Sequence, residues 1–98
     1  MRKYETMFII RPGLDEETTK AVIEKFLNLL KERDSEIESV EEWGMRRLAY
    51  EVNKLREGYY VLIHFIAKPD TVAELERVFR ISNDILRYIT ISNSEKAS

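Results

Sequence analysis

The chain of 98 residues contains no cysteine, one histidine, three glycines and two prolines. Lack of cysteine excludes disulfide scaffolds, thiolate zinc sites and thiol catalysis, and the lone His64 excludes a histidine-rich metal site. No apolar run approaches the roughly 18 to 20 residues that span a bilayer. Met1-Arg2-Lys3-Tyr4-Glu5 carries neither the apolar stretch nor the small-residue cleavage site of a signal peptide, so the cytoplasm is the expected compartment. A basic excess is also missing. Sixteen Lys and Arg face 18 Asp and Glu, a formal net charge of −2, which argues against a domain that holds nucleic acid by bulk electrostatics.

What is present is a chain 44% hydrophobic and 35% charged. A chain this long buries about 60 to 65% of the surface its unfolded form exposes, enough for one core and not two. One domain is expected over residues 1–92, followed by a polar tail, 93–98, expected to be disordered. The charge is unevenly spread: residues 1–45 hold 7 basic and 11 acidic side chains, and residues 46–98 hold 9 and 7. Contact with a polyanion would therefore be local.

Tyr4 to Ile10 is rich in β-branched and aromatic residues and stops at Arg11-Pro12-Gly13, which predicts a first strand closed by a turn. Asp15 is placed to cap a helix in which Val22, Ile23, Phe26, Leu27 and Leu30 recur at helical spacing until about Arg33. Ile37 to Asn53 reads as one long strand, kinked at Trp43-Gly44, with a turn over Lys54 to Gly58. Tyr59 to Ile66 is an almost unbroken apolar run suited to a central strand. Pro69 and Asp70 open a second helix, with a possible capping box from Thr71 to Glu74, and Val72, Leu75, Val78 and Phe79 share one face. Ile85 to Ile91 completes the set. The order βαββαβ predicts an α+β, ferredoxin-like sandwich, a four-stranded antiparallel sheet with both helices on one face and the first and third strands central.

Two helices cover one side of such a sheet. The other side should alternate in polar residues if it meets water, yet His64 and Arg87 share it with Met7, Ile9, Tyr60, Leu62 and Ile66. In the last strand, Ile85, Ile89 and Ile91 are expected to face away from Leu86 and Tyr88. Apolar patches beyond about 300 to 600 Å² are rarely bare on monomers, so another molecule is expected to cover this one.

Few constellations suggest chemistry. His64 has no second ligand of its type, and Glu36, Glu38, Glu41 and Glu42 read as a solvated acidic edge. Arg11-Pro12-Gly13 invites comparison with the phosphate loop of acylphosphatases, but only one glycine is there. Gly58-Tyr59 and Met7-Phe8-Ile9 faintly echo an RNA-recognition motif, although Tyr60, Val61 and His64 depart from its pattern. The most informative segment is Trp43 to Asn53. Its paired Arg46 and Arg47 discourage the edge strand from zipping to copies of itself and offer donor forks to an acidic partner or a phosphate.

Gly44 to Asn53 resembles the ten-residue signature of the bacterial small-subunit ribosomal protein six family, with Val52 where isoleucine is usual. The likeness extends from Met1 to about Ser92. The resemblance implies a non-catalytic component of the small ribosomal subunit, free of cofactor and metal, on the platform formed by the central domain of the small-subunit rRNA. It further implies a heterodimer with small-subunit ribosomal protein eighteen, a basic protein, with the isolated chain a monomer. On that likeness Arg46, Arg47, Leu48, Tyr50 and Tyr60 are expected to meet the protein partner, and Arg2, Lys3 and Arg87 to reach rRNA backbone. Two alternatives stay open: a ferredoxin-like homodimer enclosing a small ligand, and a free-standing RNA binder.

Overall fold

Local chemistry accounts for both helix starts. In a computed structural model, which describes residues 1–93, Asp15 caps α1 (Glu16–Glu32) by accepting a 2.7 Å hydrogen bond from the Thr18 backbone N–H. Hydrogen bonding to Thr18, through its side chain first and then its backbone N–H, holds the Asp15 carboxyl below its ordinary value. The helix ends through Asp34, whose φ of 59° lets the Asp34 and Ser35 N–H groups turn back onto the carbonyls of Lys31 and Leu30. The second helix, α2 (Pro69–Ile81), opens at Pro69 as expected, but not with the expected capping box. Pro69 takes the first helical position and makes Lys68 the cap, without a side-chain hydrogen bond. Thr71 thus falls inside the first turn, buried, while Glu74 grips Arg77 through two 2.8 Å hydrogen bonds, so no capping box forms.

The strands are β1 (Arg2–Ile10), β2 (Glu36–Val52), β3 (Leu55–Ala67) and β4 (Ile85–Ser92). They form one antiparallel sheet in the order β2-β3-β1-β4, as the βαββαβ reading requires. The turn between β2 and β3 is shorter than expected. It consists of Asn53 and Lys54, with φ of 51° and 67°, between the paired Val52 and Leu55. Two consecutive positive φ values give the tight hairpin that matches the right-handed twist of its strands, so Leu55 to Gly58 extend β3.

The core lies between the helices and one side of the sheet. Tyr4, Phe8, Ile10, Val61, Ile63, Phe65 and Ala67 meet Val22, Ile23, Phe26, Leu27, Leu30, Leu75, Val78 and Phe79. Phe8, Phe26 and Phe79 form a cluster with ring centroids 4.6 to 5.3 Å apart. A register shift between Ile9 and Ile10 changes the expected sorting of β4. Ile10 pairs with Ile85 and Ile9 with Arg87, leaving Leu86 as the extra residue. Ile85 consequently packs on the helix side with Tyr88, rather than with Ile89 and Ile91. Of the expected tail, Asn93 continues the pairing through its N–H to the Lys3 carbonyl, and residues 94–98 lie outside the described part.

Candidate functional site

Register alone assembles the open face into transverse rows, because alternate residues point the same way. Glu41, Leu62, Met7 and Ile89 make one row; Gly44, Tyr60, Ile9 and Arg87 make the next toward the hairpin. On the other side, Ser39, His64, Glu5 and Ile91 form a row, followed by Glu36, Ile66 and Lys3. The expected patch of Met7, Ile9, Tyr60, Leu62 and Ile66 is therefore on one side, and Ile89 and Ile91 enlarge it. Those two are 58% and 52% exposed. Their membership was readable from their spacing to Arg87, but grouping them with Ile85 obscured it.

Most of the polar groups of this face have partners within the chain. His64 Nε2 lies 3.0 Å from Glu41 Oε2, and Glu41 Oε1 accepts from the Trp43 indole N–H. Asn93 donates to Glu5, and Lys3 Nζ is 3.6 Å from Glu38. On the helix side of the same edge, Glu42 accepts 2.8 Å from the Tyr59 hydroxyl, which pushes that phenol above its ordinary value. The acidic edge is thus mostly partnered within the chain, and among the described residues no group of ligands is arranged for a metal ion. Arg87 apart, the side chains of this face left to attract another molecule are mainly the apolar ones.

One end of the face is covered by the chain itself. β2 and β4 are opposite edges, about 14 Å apart at a spacing of roughly 4.8 Å per strand. Yet the Arg87 guanidinium lies over the Tyr50 ring, 4.7 Å from its centroid. That contact requires the far end of the β2–β3 hairpin to bend across the sheet. Register shifts at Ile37/Ser39, Glu42/Gly44 and Arg47/Val52 provide the bend. Gly44 supplies φ of 82°, and Arg46 Nε donates to the Trp43 carbonyl across the kink. Ile9 and Leu48 are buried at 8% and 7% exposure although neither belongs to the main core.

The residues expected at a protein partner are therefore not equivalent. Arg46 and Arg47 are exposed, Tyr60 is half-buried in the middle of the patch, and Tyr50 is 60% exposed but engaged with Arg87. Leu48 is enclosed by its own chain and supports the hairpin from within. The three cations expected at RNA are not brought together either. Arg2 and Lys3 pair with Ala67 and Ile66, while Arg87 faces Ile9, roughly 20 Å further along β1 at about 3.3 Å per residue. The contact between Tyr50 and Arg87 had no signal in the sequence, since it depends on the curvature of the whole hairpin.

Residues 3–92 match the family model described as Ribosomal protein S6. Over 96 residues the chain is 53% identical to the small ribosomal subunit protein bS6 of Clostridium novyi, spanning 98% of this chain and all of the relative. It is 49% identical over 98 residues to the protein of the same name from Moorella thermoacetica, end to end in both. The crystal structure of 30S ribosomal protein S6 from Thermotoga maritima superposes with a TM-score of 0.91 at 36% identity, covering 98% of this chain and 91% of that one.

Proposed function

Since this chain belongs to the ribosomal protein S6 family, a non-enzymatic component of the small ribosomal subunit, we propose that it binds small-subunit rRNA as half of a heterodimer with small-subunit ribosomal protein eighteen. The observation that carries the reading is the open face, where half-buried Met7, Tyr60, Leu62 and Ile66 adjoin exposed Ile89 and Ile91, while most of its polar groups other than Arg87 have partners within the chain. A surface of that kind gains from burial against another protein, at roughly 25 cal/mol per Å² of apolar area removed from water. It gains little from a polyanion.

A basic partner also resolves the charge problem. A chain of net charge −2 releases few counterions from RNA by itself, whereas a cationic protein docked on it supplies that release for the pair. In this arrangement Arg46 and Arg47 present exposed donors along the free edge of β2, and Tyr60 lies at the centre of the buried patch. Leu48 holds the hairpin that carries the arginines. Lys3 at one end of the face, with Arg2 next to it at the strand start but on the helix side, and Arg87 at the other end, reach phosphates on either side of the docked partner. Phosphate contacts orient a protein without reading sequence, so RNA specificity comes from the shape of the folded junction.

The test is binding of a central-domain rRNA transcript to the purified chain, with and without protein eighteen. Weak binding alone and a large gain with the partner are expected. Equal affinity in both conditions refutes the heterodimer reading, and a stable homodimer in sedimentation velocity experiments without partner favours self-association instead.

A further inference from the structure

We infer that Tyr50 is a positioning residue, whose ring holds the Arg87 guanidinium ready for a phosphate and ties the partner-facing hairpin to the RNA-facing cation. This rests on the role for Arg87 proposed above. An arginine can be fixed in two ways, by a carboxylate or by an aromatic face, and the difference matters for an anion site. A carboxylate neutralises the charge and occupies the donor fork. A ring contact uses the face of the guanidinium and leaves its in-plane N–H donors and its full charge available.

The structure shows the second arrangement. Arg87 lies over Tyr50 at 4.7 Å, and among the described residues it takes part in no ion pair. Several other surface cations are spent on carboxylates: Arg11 on Asp84, Arg77 on Glu74, Lys3 on Glu38 and Lys20 on Glu16. Arg87 is fixed and not neutralised. Tyr50 belongs to the same hairpin as Arg46 and Arg47, and Leu48, buried between them in sequence, makes that hairpin a packed unit. A protein that docks on the two arginines and steadies the hairpin therefore also steadies Arg87. By thermodynamic reciprocity, RNA held by Arg87 strengthens the protein contact by the same factor.

The experiment uses the full chain at saturating partner, with a central-domain rRNA transcript titrated at several salt concentrations. Tyr50→Phe, Tyr50→Leu, Arg87→Gln and the Tyr50→Leu/Arg87→Gln double variant are compared, after circular dichroism shows each to be folded. Arg87→Gln is expected to weaken RNA binding and to lower the slope of log affinity against log salt by roughly 0.7 to 0.9, one phosphate contact. Tyr50→Leu should weaken RNA binding about two- to fivefold, the range of an exposed cation–π contact, and Tyr50→Phe should retain it. The double variant should bind no worse than Arg87→Gln alone. In the free protein, the upfield ring-current shift of the Arg87 side-chain protons should persist in Tyr50→Phe and vanish in Tyr50→Leu. If Arg87→Gln weakens RNA binding and the Tyr50→Leu loss simply adds to it, Tyr50 acts independently and the inference is overturned. If Arg87→Gln changes nothing, the RNA role of Arg87 itself fails, and the inference falls with it.

Discussion

Replacing Gly58 by alanine tests the packing that seats the hairpin on the sheet. Gly58 is buried opposite Arg46, and a Cβ there would come within 2.4 Å of Ile9 Cγ2 and 3.1 Å of the Ile10 carbonyl oxygen, with Leu86 Cδ1 at 3.5 Å. Neither near neighbour yields easily. Ile9 is β-branched, stiff at χ1 and confined in the strand row between Tyr60 and Arg87, and the carbonyl belongs to a central strand. Overpacking of this kind costs about 1 to 3 kcal/mol. Removing glycine also restricts the unfolded chain, which returns roughly 0.4 to 1 kcal/mol. The clash is the larger effect, and a net loss of about 1.5 kcal/mol lowers the midpoint of a domain this size by roughly 6 to 12 °C. Urea denaturation followed by far-ultraviolet circular dichroism measures the loss, with an unchanged slope showing that the unfolded state is the same. Gly44→Ala serves as a comparison, since nothing lies within 4 Å of a Cβ there and only the positive φ is strained. Gly58→Ala as stable as the unaltered chain would refute the close approach of β3 to Ile9.

Two other outcomes follow from the same geometry. Replacing Arg46 and Arg47 together by apolar residues removes the charges that guard the free edge of β2, so heterodimer affinity should drop in calorimetry and larger species should appear in gel filtration; an unchanged monomer and an unchanged complex would refute the role. Asp15 has a folded value below its unfolded one, so its contribution to stability is complete above the unfolded value and is lost as pH falls through the folded value. Asp15→Asn keeps an N-cap that does not titrate, and urea midpoints from pH 6 to pH 2 should fall less steeply for it than for the unaltered chain; parallel curves would remove the cap from the acid response.

Much of the architecture was readable because it follows from neighbours a few residues apart. Phe26 and Leu30 recur on the face of α1 that enters the core, Asp15 caps where it was expected, and the apolar run through Val61 and Ile63 became a central strand. The misreadings have physical causes of the same scale. Gly58 and the charged residues before it suggested a longer turn, but two consecutive positive φ values confine it to Asn53 and Lys54. Thr71 lost the capping role because Pro69 set the start of α2 earlier. Ile85 changed sides because one extra residue in β4 is invisible until β4 is laid against β1.

The sequence by itself determined the βαββαβ order, the membership of the open apolar side apart from its last strand, and the likeness at Gly44 to Asn53, since periodicity, proline and helix caps act within a turn or two of chain. Only the tertiary structure decided that Leu48 is enclosed, that Arg2 and Lys3 stand far from Arg87, and that Tyr50 meets Arg87 across the sheet. Those facts depend on strand register and on curvature summed over three irregularities in β2, quantities that no short stretch of residues encodes.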